Sequence, residues 1–340
     1  LHDREYAMTE EEPSSLTTYD DVYRRTVQAV LNYGRPKGDR TNTGTLSVPP
    51  LDAHFNLLGG YPLIGLKFTS FRVVLHELLW FLDGDTNVNT LKNKKVNIWN
   101  EWADTNGDLG PIYGQQWRSW PCPDGRIIDQ IHELIDSLLV KPESRRMIVS
   151  AGNPADLPAE EISPQDNVAL GLQALAPCHV LFQAHSLEAT VGERLQWAYN
   201  QNPDRWGDEY HAEEKSANLA EKLDAYEIPD RGLGIQIYQR SADLFLGVPY
   251  NWASYSLLTY LLAAITDHIP MFMHWNGGDI HLYKNHLEQV EELLQREPLP
   301  SASLRLHRPV SNLDDLLKLD VEDFELQYQH HPSIKAPVAV

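Results

Sequence analysis

Cysteine is nearly absent from this chain: Cys122 and Cys178 are the only two in 340 residues. Two thiols cannot build a disulfide framework, so a reduced, cytoplasmic compartment is expected. Basic residues are scarce as well. The 28 Lys and Arg stand against 48 Asp and Glu, a formal net charge of −20. Binding to duplex nucleic acid or an anionic membrane draws on excess Lys and Arg, so this balance argues against both. It leaves room for a small anion held in a local arginine cluster. No apolar run reaches membrane-spanning length, and Leu1 to Ser15 is polar and acidic, unlike a secretory signal. There is no internal repeat, and strands and helices do not alternate with βαβ periodicity.

What the chain does have is 42% hydrophobic residues, enough for one large core or two modest ones. Residues 1–18 read as a flexible extension, with charge and breakers but no periodicity. Apolar spacing predicts a helix from about Tyr19 to Tyr33, stopped by Gly34. A strand is expected over Gly44 to Leu58 and a buried helix over Phe71 to Leu82. An amphipathic helix is expected over Arg126 to Val140, then a short strand over Met147 to Ala151. Val180 to Gln183 and Gly234 to Tyr238 read as neighbouring strands, Ala253 to Ile265 and His286 to Gln295 as helices. The mixed order suggests an α+β fold, a mixed sheet with helices packed on it. Two stretches look inserted into an otherwise single domain over 19–340. One is irregular and acidic, about 156–171. The other is highly polar, about 186–231, with a solvated helix near Glu213 to Tyr226. Cys122 lies in Trp120-Pro121-Cys122-Pro123-Asp124-Gly125, which reads as a turn.

Cys178 sits in Ala176-Pro177-Cys178-His179. An isolated Pro-Cys-His is more often packing than chemistry, and His179 is more often a core histidine than a base. The company changes that reading. A free thiol is mostly protonated at neutral pH and needs nearby positive charge to become a nucleophile. Arg240 and the pair Arg145-Arg146 are the candidates. Arg145-Arg146 precedes the apolar Met147-Ile148-Val149, so at least one guanidinium starts from a sheet edge. Several arginines on one phosphate give strong charge-assisted bonds. On a strand, Arg240 faces opposite to Gln239 and Ser241. Asn251 offers a donor and an acceptor, which suits O4 and N3–H of uracil; the bland alternative is a helix cap. Glu77 lies in the apolar run Leu75-His76-Glu77-Leu78-Leu79-Trp80. Burial raises a carboxyl pKa, which general acid/base work uses. The plain alternative is a buried partner for an arginine.

Together these segments resemble thymidylate synthase, the folate-dependent dimeric type, in its bacterial form. The likeness runs through Asp39-Arg40-Thr41, His76-Glu77-Leu78-Leu79-Trp80-Phe81-Leu82, Glu101-Trp102-Ala103-Asp104, Asp108-Leu109-Gly110-Pro111-Ile112-Tyr113-Gly114, Ser144-Arg145-Arg146, Ala176-Pro177-Cys178-His179, Gln239-Arg240-Ser241-Ala242-Asp243, Gly278-Asp279-Ile280-His281-Leu282-Tyr283 and the terminal Ile334-Lys335-Ala336-Pro337-Val338-Ala339-Val340. The resemblance implies a symmetric homodimer joined through the sheet. It also implies reductive methylation of dUMP to dTMP with 5,10-methylenetetrahydrofolate, and no metal. Cys178 would add to C6 of dUMP. A base in the Tyr113 region would remove the C5 proton with ordered water, and Glu77 would manage protons at O4 and the folate nitrogen. Asp243 and Asn251 complete the catalytic set. Arg40, Arg240, Ser241 and, from the other subunit, Arg145 and Arg146 would hold the phosphate. His179, Gln239 and Asn251 fall on the nucleotide side, and His281 and Tyr283 on the ribose 3′-OH. Trp99, Trp102, Leu175, Asp243, Leu246, Gly247 and Tyr250 would line the folate side, with Lys67 toward its glutamate tail. The tail, Ala339 included, would close over both ligands.

Departures accompany the likeness. Asn42 stands where the family usually has Gly, and Gly65-Leu66 replaces Thr-Thr. Asn100 replaces Asp, Gly152 replaces Trp, Tyr250 replaces Phe, and Trp252 replaces a smaller aliphatic residue. Asn100 and Gly152 open an alternative: a dUMP hydroxymethylase, in which water takes the place of hydride. A non-enzymatic nucleotide- or RNA-binding relative is a third reading, but it has no use for Cys178 and Glu77 together.

Overall fold

The first helix, α1 (Tyr19–Tyr33), owes its start to Thr18. The Thr18 hydroxyl accepts from the Asp21 N–H and the Asp21 carboxylate accepts from the Thr18 N–H, a capping box. The computed structural model describes residues 18–39 and 42–338. The expected 1–18 extension, apart from Thr18, lies outside the described residues, and so do Arg40, Thr41, Ala339 and Val340. Three short strands follow α1: β1 (Arg35–Lys37), β2 (Thr45–Val48) and β3 (Leu51–Asn56). The single strand expected over 44–58 is broken at Pro49-Pro50, because proline has no N–H for the ladder. Helix α2 (Phe71–Asp83) is buried on nearly every side and stops at Gly84, whose φ of 80° is left-handed.

After α3 (Val88–Asn93) and α4 (Tyr113–Arg118), a hairpin of β4 (Trp120–Pro121) and β5 (Ile127–Ile128) turns through Cys122, as expected. The hairpin consumes residues 126–128. Helix α5 (Gln130–Val140) therefore starts later than the sequence predicts, capped by the Asp129 carboxylate on the His132 N–H. Next come β6 (Ile148–Ser150), α6 (Pro164–Ala169), β7 (His179–Glu188), α7 (Val191–Gln201), α8 (Pro203–His211) and α9 (Leu219–Ala225). The chain ends through β8 (Arg231–Asp243), α10 (Val248–Ile265), β9 (Ile269–Tyr283), α11 (Leu287–Leu294), β10 (Ser303–Leu306), α12 (Leu313–Leu316) and β11 (Phe324–Gln327).

Seven strands make the main sheet, in the order β1-β2-β9-β8-β7-β6, with β3 also paired to β9. Strands β8 and β9 are parallel and the other pairs antiparallel, so the sheet is mixed and the fold α+β. Helix α10 covers β8 and β9, with α2 packed on it. Along β8, Ile235, Ile237 and Gln239 are buried while Gln236, Tyr238 and Arg240 are exposed, the two-residue alternation of a strand.

The two stretches expected as inserts are more ordered than their polarity suggests. Helices α7, α8 and α9 bury a small core of their own: Leu195, Ala198, Trp206, Leu219 and Leu223. Arg194 is buried with it, donating to the Asp224 carboxylate at 2.7 Å and the Ile228 carbonyl at 2.6 Å. The solvated helix expected near 213–226 is the shorter α9, and α7 and α8 precede it unforeseen, each with too few apolar residues to stand out alone. The 156–171 segment contains α6 and is tied down by Asp156, which accepts from Gln116 at 2.7 Å and Asn153 at 2.9 Å.

Candidate active site

The β7–β8 register shifts between His179 and Leu181, so Ala176-Pro177-Cys178 comes off the end of the sheet rather than lying in it. Arg240 wraps this segment. Its Nε donates to the Pro177 carbonyl at 2.9 Å, its Nη2 to the Ala176 carbonyl at 2.8 Å, and its backbone N–H to the Cys178 carbonyl at 2.8 Å. The Cys178 N–H donates to the Tyr113 hydroxyl oxygen at 2.7 Å. Burial pushes the Cys178 thiol up; Arg240 and a Ser241 hydrogen bond pull it down, and Asp243 adds to the rise. The net shift is upward. Arg240 supplies the positive charge expected beside the thiol, and in this structure burial outweighs it.

Tyr113, on the first turn of α4, stacks on His179 with ring centroids 4.4 Å apart. His179 Nδ1 shares a 3.0 Å hydrogen bond with the Tyr255 hydroxyl. Burial pushes His179 down to about 3, so its ring is neutral at physiological pH. It is a buried support behind the thiol, in line with its plain reading. Tyr255 escaped the sequence reading; the available signal was a hydroxyl within the apolar α10.

Glu77 lies buried in α2, and the Trp99 Nε1–H donates to its Oε1 at 2.8 Å. Burial pushes Glu77 up to about 7, against the pull of that bond. No arginine pairs with it in any described contact, so the ion-pair alternative falls away. Beside Glu77 the half-buried Trp99, Trp102, Leu246 and Tyr250 pack on the core and leave a face open. Trp99 and Trp102 meet edge-on at 5.8 Å. Together they present a largely apolar surface near an ionisable carboxyl. Leu175 is likewise half-buried, next to the thiol loop. Lys67 is held on the core side of the same region. Its amine is buried over the Phe245 ring at 4.7 Å, and burial pushes it down to about 8, partly offset by Asp243.

Asn251 is not a helix cap. Gly247 precedes α10, and the Asn251 N–H donates to the Gly247 carbonyl as an ordinary helical bond at 3.0 Å. Its side-chain Oδ1 accepts from Gln239 Nε2 at 3.0 Å. Asp243 closes the turn after β8 by accepting from the Phe245 and Leu246 N–H groups at 3.0 and 3.1 Å. His281 Nδ1 lies 3.2 Å from the Asp279 carbonyl, with the Tyr283 ring edge-on at 5.2 Å. The β2–β9 pairing fixes both residues, Thr45 opposite Tyr283 and Ser47 opposite His281. The tail reaches the same end of the sheet: the Pro337 carbonyl accepts from His286 Nε2 at 2.7 Å.

Arg145 and Arg146 are exposed and stand apart. Ile148 pairs with Gln183 and Ser150 with Leu181. Continuing that register sets Arg146 level with His185, roughly 23 Å along β7 from Cys178 at the usual strand rise. The structure does not bring them to the thiol of their own chain. Several departures also find a cause. Asn42 has φ of 57°, the left-handed region that asparagine tolerates best after glycine. A Cβ at Gly152 would lie 2.6 Å from Val180 Cγ1, so valine fills that space and leaves no gap. A Cβ at Gly65 would lie 2.7 Å from the Gln329 carbonyl. Asn100 is exposed and donates to Asn97 at 3.3 Å. Trp252 belongs to the core, 4.7 Å from Phe55 and 5.5 Å from Trp275. Among the described residues no group of three or more His, Cys, Asp or Glu side chains is disposed to hold a metal ion.

A buried thiol with an arginine collar and a buried carboxyl near neutrality are the equipment of an enzyme. The family model for thymidylate synthase matches residues 21–340. A protein named thymidylate synthase from Francisella philomiragia subsp. philomiragia is 44% identical over 319 residues, covering 94% of this chain and 99% of that one. The chain belongs to the thymidylate synthase family.

Proposed function

We propose that the residues gathered at this cleft carry the family reaction, the reductive methylation of dUMP to dTMP. Cys178 Sγ adds to C6 of the uracil, and its proton leaves as the bond forms. That addition makes C5 a carbon nucleophile. 5,10-Methylenetetrahydrofolate supplies the one-carbon unit and then the hydride to that exocyclic carbon, and leaves as dihydrofolate; the C6–S bond breaks as the C5–C6 double bond re-forms, which frees dTMP and returns Cys178. Glu77, held near neutrality, gives and takes protons at the uracil O4 and the folate nitrogen. Tyr113 and ordered water accept the C5 proton. Asn251 reads the base, and His281 and Tyr283 hold the ribose. Arg240 and Ser241 with Arg40 bind the phosphate, completed by the partner subunit's Arg145 and Arg146 across a two-fold axis. Trp99, Trp102, Leu175, Asp243, Leu246, Gly247 and Tyr250 seat the folate, and the tail through Ala339 covers both ligands. The compartment in this reading is the cytoplasm; no helix among the described residues is long and apolar enough to cross a membrane.

The observation that carries the reading is the placement of Cys178 between Arg240 and Tyr113, with Glu77 raised to about 7 in the same cleft. The hydroxymethylase alternative is not favoured: Val180 closes the space beside Gly152, and Asn100 points to Asn97. A trapping experiment tests the assignment of the nucleophile. With 5-fluoro-dUMP and the folate, fluorine cannot leave C5 as a cation, so a covalent ternary adduct accumulates. Intact-mass analysis should find it on Cys178; an adduct on another residue, or none, contradicts the proposal.

A further inference from the structure

The amide of Asn251 can present either face to a base, and the choice decides which base it reads. Its Nδ2 donates to a carbonyl such as uracil O4; turned over, its Oδ1 accepts from an amino group such as that of cytosine. The structure contains a chain of hydrogen bonds that removes the choice. It begins at Trp275, fully buried in β9, whose indole Nε1–H donates to Gln239 Oε1 at 2.8 Å. An indole N–H is only a donor, so the Gln239 oxygen must face it. The Gln239 amino group then faces the other way. It donates to the Ser241 carbonyl at 3.1 Å and to Asn251 Oδ1 at 3.0 Å. Asn251 is left with its Nδ2 turned away from Gln239. A flip of either amide sets two donors against each other in a buried site.

We infer that Trp275 is a positioning residue for base selection, acting through Gln239 to hold Asn251 in the uracil-reading orientation. The inference rests on the proposed dUMP reading of the cleft. Trp275 sits some 36 residues along the chain from Gln239 and belongs to the core, edge-on to Trp252 at 5.5 Å. Without its N–H the buried Gln239 oxygen is orphaned. Gln239 regains a partner only by turning toward the cleft, and that releases Asn251.

Two variants test this: Trp275→Phe, and replacement of Trp275 by benzothienylalanine, which keeps the bicyclic shape and exchanges N–H for sulfur. Calorimetry gives the dissociation constants of dUMP and dCMP, and steady-state kinetics gives KM and kcat for dUMP. A thermal melt confirms folding, and the benzothienyl variant decides the matter if Trp275→Phe does not fold. Loss of a buried hydrogen bond should narrow the dUMP/dCMP ratio about tenfold, with KM for dUMP rising more than kcat falls. General loosening of the core weakens both nucleotides together and leaves the ratio alone. A wild-type ratio in the folded benzothienyl protein overturns the inference. A wild-type enzyme that does not prefer dUMP overturns the underlying reading as well.

Discussion

Burial gives Glu77 its chemistry, and pH exposes it. Its carboxyl rises from 4.5 to about 7, so the folded chain holds a proton that the unfolded chain gives up. Native stability from this group is full below about pH 4.5 and is lost as pH climbs to about 7, a total of about 3 kcal/mol. Glu77→Gln should remove that dependence. Denaturant melts at pH 5 and pH 8 should show wild type losing more stability than the variant, and turnover in the variant should lose its limb near pH 7. Cys178→Ser should abolish turnover and leave dUMP binding largely intact, because a hydroxyl at neutral pH is a far weaker nucleophile than a thiolate. Substantial turnover in that variant would sink the covalent mechanism. Asn251→Asp should move preference from dUMP toward dCMP about tenfold or more, read from paired dissociation constants. The burial of Glu77 was legible because it lies in a distinctive apolar run. Tyr255 and Trp275 were not, because their partners are distant in sequence and only the folded sheet joins them.

Among the elements, the helical insert is the clearest departure from what the sequence advertised. Trp206 is its largest buried side chain, with Leu195, Leu219 and Leu223 around it. Trp206→Ala should cost the insert about 3–5 kcal/mol and speed hydrogen exchange across α7, α8 and α9. Turnover should stay near wild type, since no cleft residue belongs to that small core. Collapse of activity together with the insert would mean that α7 to α9 support the cleft. Helices α1 and α2 were legible to within a residue because a capping threonine or a terminal glycine marks an end of each. The strands β7 and β8 run longer than their apolar stretches, since polar residues such as Gln183, His185, Gln236 and Arg240 alternate with buried ones. Asn251 was open to misreading as a cap because α10 begins five residues earlier than its apolar run, at Val248.

For the whole molecule, the strand register makes the arginine pair decisive. Arg145 and Arg146 lie far along β7 from the thiol of their own chain, and the proposed reading therefore assigns them to the phosphate of a partner subunit. Mixing an Arg145→Ala/Arg146→Glu protein with a Cys178→Ala protein, each inactive alone, should restore activity on subunit exchange, to at most about one site per heterodimer. Heterodimers seen by native mass without activity would place the arginines outside the site. The central claim is the reaction itself, and it is tested most directly by incubating the purified chain with dUMP and 5,10-methylenetetrahydrofolate. Mass spectrometry then identifies the nucleotide, and absorbance the oxidation state of the folate. The account requires dTMP and dihydrofolate in equal amounts. A hydroxymethylated nucleotide with the folate left as tetrahydrofolate, or unchanged dUMP from folded protein, would contradict it.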